Sequence, residues 1–106
     1  MLSAARPAQA AADKTTIVIV HGASHEDCSE VGPGQTFNYS YDSSKPVVFN
    51  IHYHWEKKMI IVAEQKPLMK YKGEYSPKEQ HEYCLMWINT NYAPLVLRYT
   101  KSVSGR

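Results

Sequence analysis

The cleanest alternation of hydrophobic and polar positions in the chain runs from Pro46 to Trp55, PVVFNIHYHW. At a period of two, Val47, Phe49, Ile51, Tyr53 and Trp55 fall on one face, and Val48, Asn50, His52 and His54 on the other. The pattern predicts a strand with its odd-numbered face in a core and its even-numbered face outward. His52 and His54 then project the same way, from positions about 7 Å apart along the strand. Thr36 to Tyr41 alternates likewise, with Phe37, Tyr39 and Tyr41 inward and Asn38 and Ser40 outward, and near the C-terminus Leu95, Leu97 and Tyr99 alternate with Val96, Arg98 and Thr100.

The remaining segments read as further strands and turns. Thr15 to Val20 is β-branched throughout and predicts an initial strand, which His21-Gly22-Ala23-Ser24 breaks into a loop, with His21 and His25 flanking it beside Cys28. Val31-Gly32-Pro33-Gly34 and Asp42-Ser43-Ser44-Lys45 have the composition of turns. Glu56-Lys57-Lys58 reads as a hairpin tip before a strand over Met59 to Ala63, which Lys66-Pro67 ends; Met69 to Tyr75 predicts a short irregular strand broken at Gly73. Ser76 to Gln80 suggests a turn or one helical turn capped by Ser76. Tyr83 to Ile88 is apolar on both faces, as a central strand covered on both sides would be, and Asn89-Thr90-Asn91 turns the chain into the last strand. Seven to eight short, turn-punctuated strands predict an all-β fold, an antiparallel β-sandwich.

Composition agrees with that class. A chain of 106 residues with 43% hydrophobic content suffices for one core, and eight Tyr, two Trp and two Phe suit pleated, half-buried surfaces. The net charge of +2 is dispersed, with Lys57-Lys58 the single adjacent basic pair, so no nucleic-acid partner is expected. No apolar run approaches the roughly 20 residues of a membrane-spanning helix. Residues 1–14 are Ala-rich, and Ala8-Gln9-Ala10 fits a signal-peptidase site, but Arg6 and Pro7 interrupt the apolar run a secretory signal needs. We therefore expect a disordered tail or signal-peptide remnant over 1–14, one domain over 15–103 and a tail over 104–106. Asn38-Tyr39-Ser40 matches the N-glycosylation triplet, which would matter in a eukaryotic secretory setting.

Cys28 and Cys84 have neither CxxC spacing nor a ligand cluster around them. Paired, they would close a long loop, contribute about 4 kcal/mol and imply an oxidising compartment; two unrelated buried thiols in a cytosolic domain also fit. A strand followed by His21-Gly22 resembles the opening of an α/β-hydrolase. There is no GxSxG elbow and no alternation with helices, so catalysis by Ser24 with His21 or His25 is set aside.

The order of landmarks from Glu26 to Val103 resembles the Golgi-dynamics (GOLD) domain: Glu26-Asp27-Cys28, a glycine turn, an alternating strand, PVVFNI, Gly73-Glu74-Tyr75, and Glu82-Tyr83-Cys84-Leu85-Met86-Trp87-Ile88-Asn89. The chain is most similar to small exported bacterial proteins with a GOLD-like pattern and undefined function. The resemblance implies a β-sandwich, a disulfide between Cys28 and Cys84, an exported location and a compact module that docks onto something else. No coiled coil, membrane span or sorting tail follows Val103 in this sequence, so the cargo-receptor role found within the family is not implied.

Two uses of the even-numbered face follow. Asn50, His52 and His54 form an interaction face for a protein partner. Alternatively, His52 and His54 bind copper or zinc, with further ligands from His81, Glu64, His21 or His25, and Asn50 supporting the ligands by hydrogen bonding. Met59, Met69 and Met86 offer thioether sulfur for Cu(I), although methionine commonly fills cores. Trp55, Trp87 and the tyrosines are phased for packing rather than for an exposed platform. The resulting expectation is a non-catalytic, exported binding or accessory module, with periplasmic metal binding as the alternative.

Overall fold

The computed structural model describes residues 14–105, so the expectations for residues 1–13 lie outside the described residues. The chain forms six strands: β1 (Thr15–Ile19), β2 (Ser24–Val31), β3 (Thr36–Trp55), β4 (Lys58–Tyr75), β5 (His81–Ile88) and β6 (Leu95–Ser104). All pairings are antiparallel, and there is no helix among the described residues. The strand order is β1-β6-β3-β5-β2, with β4 running beside β3.

The 20-residue β3 organises everything else. Its first half, Thr36 to Ser43, pairs with β6, its second half, Val48 to His52, pairs with β5, and β4 accompanies both. Seven to eight short strands were expected because Asp42-Ser43-Ser44-Lys45 and Lys66-Pro67 read as breaks. Both are irregularities inside continuous strands: the β3–β4 register shifts between Asp42 and Val47 and again between Val47 and Phe49. The hydroxyls of this stretch supply what the ladder loses. Ser43 Oγ accepts the Lys45 N–H and Ser44 Oγ accepts the Val96 N–H, so the chain bends without stranding those donors. Pro67 is tolerated because β4 is an edge strand and needs no inner ladder bond there.

The bend turns one sheet back over itself. Trp87 on β5 and Tyr99 on β6 meet with ring centroids 4.4 Å apart, Phe49 touches Tyr39, Tyr41 and Trp87, and Ile51, Leu85, Leu95 and Leu97 are fully enclosed with them. Side chains from the β6 side and the β5 side thus build one core between two layers.

Residues 25–30, to which the sequence pattern assigned no element, form with Ser24 and Val31 the edge strand β2, paired with β5 over its whole length. Its sequence, SHEDCSEV, lacks the β-branched residues that mark a strand, and tertiary pairing overrides that weak propensity. The pairing puts Cys28 opposite Cys84, where the two form a disulfide with S–S 2.06 Å. With its ends 56 positions apart, that bridge stabilises the fold by about 4 kcal/mol in the chain-entropy description. Glu56 and Lys57 both have positive φ, 50° and 67°, and form the two-residue turn joining β3 to β4.

Candidate functional site

The second half of β3 lies between β4 and β5, and β5 lies between β3 and β2. Opposite the core face, the register gathers Asn50, His52 and His54 from β3, Cys84 and Met86 from β5, Glu26 and Cys28 from β2, and Met59, Ile61 and Glu64 from β4. The predicted co-facing of Asn50, His52 and His54 is therefore present. Their predicted exposure is not: Asn50 is buried, His52 is 0% exposed and only His54 reaches solvent. Alternation gives a side chain's direction, whereas its exposure depends on the strands to either side. His52 stands between Ile61 and Cys84, with Glu26 against its ring.

His52 is held from both sides. Its Nδ1–H donates to Asn50 Oδ1 at 2.8 Å. Its Nε2 lies 2.9 Å from Glu26 Oε2 but out of line for a hydrogen bond, so with the proton on Nδ1 the Nε2 lone pair faces the carboxylate without a partner. The His54 ring meets the His52 ring edge-on at 5.0 Å between centroids. Burial pulls the His52 pKa below the ordinary imidazole value, the Glu26 charge pushes it back up, and His54 adds to the lowering; the net direction is down.

The other candidates lie elsewhere. His81 is on the opposite face of the sheet, where its ring stacks on Tyr53 at 3.9 Å and its Nε2 contacts Glu79, so it cannot join His52 and His54. His21 sits at a turn, with Nδ1–H donating to the Asn91 carbonyl and its ring on Tyr92. His25 faces inward from β2 and donates to Tyr99 Oη, which in turn donates to Asp27 Oδ2 at 2.6 Å. Neither histidine is hydrogen-bonded to Ser24. Glu64 pairs with Asn50, one position further along the face, and Met69 is in the other half of β4. Sequence reasoning missed Glu26 because β2 was not recognised as a strand.

Two further features were also missed. Between the layers, Lys101 Nζ meets Asp27 Oδ1 at 2.7 Å and donates to the Cys28 carbonyl and Ser29 Oγ. Burial alone would raise the Asp27 pKa, but the bonds from Lys101 and Tyr99 outweigh it and hold the carboxyl below its ordinary value. At the free end of the β3–β4 hairpin, Trp55, Met59 and Ile61 are exposed at 56%, 44% and 46%. Trp55 was phased for the core, but it lies at the strand end beyond the enclosed residues. A hollow lined by Tyr53, Trp55, Glu79 and His81 lies beside it.

No helix among the described residues is long and apolar enough to cross a membrane. No family model matches the chain and no curated protein matches its sequence, so the GOLD resemblance stands on the order of its motifs alone. Solved structures do match. A periplasmic inhibitor of g-type lysozyme, PliG from Aeromonas hydrophila, is similar over 92% of this chain and 93% of its own, with TM-score 0.62 and 10% identity. A de novo designed double-stranded β-helix matches over 85% of this chain and 99% of its own, with TM-score 0.46 and 15% identity. A protein from Sulfurospirillum deleyianum covers 87% and 99% respectively, with TM-score 0.47 and 8% identity. Among these, the likeness to the lysozyme inhibitor establishes a shared small all-β fold.

Proposed function

We propose that this chain is a non-catalytic protein-binding module of an oxidising, exported compartment, and that it meets its partner through the free end of the β3–β4 hairpin. One observation carries the reading: Trp55, on the same face as Tyr53 and His81, is 56% exposed beside the two-residue turn. An exposed Trp beside a hollow lined by Tyr53, Glu79 and His81 has the character of an interface anchor. The outer edge of β4 is a poorer docking route, since Lys58, Lys66, Pro67, Lys70 and Lys72 discourage strand addition. Of the predicted interaction face, His54 borders this end, while Asn50 and His52 are too buried to touch a partner before the sheet rearranges.

The disulfide supports the compartment, since such bridges persist where thiols are not kept reduced. A fold shared with a periplasmic inhibitor of a lysozyme is in keeping with the binding role and makes a g-type lysozyme the first defined partner to test. The GOLD-like motif order points the same way, to a compact module docking as an accessory to a larger protein.

The test is site-specific photo-cross-linking in cells that naturally make the protein, with the probe at Trp55 and, as a control, at Ser102 on the first-half side of β3. A discrete protein adduct from position 55, lost on Glu79→Lys at the rim of the hollow and absent from position 102, is the expected result. The same adducts from both positions, or none from position 55, would contradict the reading.

A further inference from the structure

Independently of the interaction surface, we propose that Glu26, His52 and His54 form a binding site for a divalent transition-metal ion of the copper and zinc class, with Cu²⁺ preferred. Three observations converge. The first is an orphaned nitrogen: His52 Nε2 is fully enclosed, has no hydrogen-bond partner and faces the Glu26 carboxylate. The second is the far side of that ring, where Nδ1–H donates to Asn50 Oδ1 at 2.8 Å. A metal-binding histidine is normally fixed in this way, with one nitrogen donating to a carbonyl so that the other presents its lone pair. The third is the donor set. A ring nitrogen of His54 lies within 4.8 Å of one on His52 and Glu26 Oε2 lies 2.9 Å from His52 Nε2, but the three donors do not meet at one point as they stand, so the exposed His54 side chain must rotate to complete the site.

The cysteines do not belong to this set. Cys84 and Cys28 lie in the same cluster, but their sulfur atoms are bonded to each other and offer no thiolate. Two imidazoles and one carboxylate remain, a set that suits copper or zinc rather than calcium or magnesium, which take oxygen ligands.

Between the two metals, the general order of affinity of nitrogen and oxygen donors favours Cu²⁺ over Zn²⁺. His52 is thus the fixed ligand, and Glu26, with 37% of its side chain exposed, and His54 close over the ion from the surface.

The test uses the full chain, shown by thiol assay to contain no free cysteine, titrated with Cu²⁺ and separately with Zn²⁺ by calorimetry with a competing chelator. One Cu²⁺ per chain is expected, with electron paramagnetic resonance showing coupling to two imidazole nitrogens. His54→Ala should reduce that coupling to one nitrogen. His54→Ala and Glu26→Gln should each weaken binding about tenfold or more, with an unchanged circular dichroism spectrum, because both side chains are at the surface. His21→Ala, at a distant turn, should bind as the unaltered chain does. Absence of saturable Cu²⁺ binding, or affinity unmoved in both site variants, would overturn the site. Zinc bound more tightly than copper would overturn the preference for Cu²⁺.

Discussion

Asn89 is a buried amide that ties one end of the molecule together. Its Nδ2 donates to the Ile19 and Ala93 carbonyls, and its Oδ1 accepts the Asn91 N–H. Asn91 then reaches the Pro46 carbonyl at the bend of β3. Removing a buried group that satisfies several others leaves those partners desolvated and unpaired, so Asn89→Ala should cost about 3 kcal/mol in urea denaturation. A loss below about 1 kcal/mol would mean water takes over those bonds. The tyrosines make a second prediction at this scale. Burial raises Tyr39 and Tyr83 from the ordinary 10.0 to about 12, and raises Tyr41 and Tyr99 as well. Between pH 10 and about 12 an unfolded chain has released phenolic protons that the folded chain still holds, so stability falls as pH rises through that window. Urea midpoints should therefore decline across it, with phenolate absorbance of these rings lagging that of free tyrosine. Ordinary titration of every tyrosine with no loss of stability would contradict their burial. Asp27 works in the opposite range: its lowered pKa stabilises the fold above the ordinary value of 3.8 and stops doing so as pH falls through the depressed value.

At the scale of elements, the disulfide decides whether β2 stays attached. β2 is an edge strand of polar sequence, joined to β5 by ladder bonds and by Cys28 to Cys84. The double variant Cys28→Ala, Cys84→Ala should lose about 4 kcal/mol, and the amides of Ser24 to Val31 should gain hydrogen exchange before those of β6. Uniform acceleration across all strands would show that β2 has no separate dependence on the bridge. The sequence made the long alternating runs legible, since Phe37, Tyr39, Tyr41, Val47, Phe49 and Ile51 are buried as their period required. It was less informative where one residue type serves two ends. Serine, aspartate and proline mark a turn between strands and equally a bend within one, and only pairing partners distant in sequence choose between them. For the same reason β2 and its Glu26 went unread, and His52 was placed in solvent: lateral cover by β4, β5 and β2 has no local signature. The hairpin tip was legible in position, though not in having two non-glycine residues at positive φ.

At the scale of the whole molecule, bending β3 sets up a division of labour. The inner faces of the two layers meet in an aromatic core, and the disulfide and the Asp27–Lys101 contact clamp β2 to its neighbours. The far end of the β3–β4 hairpin extends beyond this core and keeps Trp55, Met59 and Ile61 at the surface. The binding reading stands or falls on that end. The most direct measurement is the affinity of the purified chain for the protein cross-linked at position 55, compared with that of Trp55→Ala. An anchoring tryptophan should lower affinity about tenfold or more with the fold intact. An affinity within about twofold of the unaltered chain would contradict the proposal that the hairpin end is the binding surface.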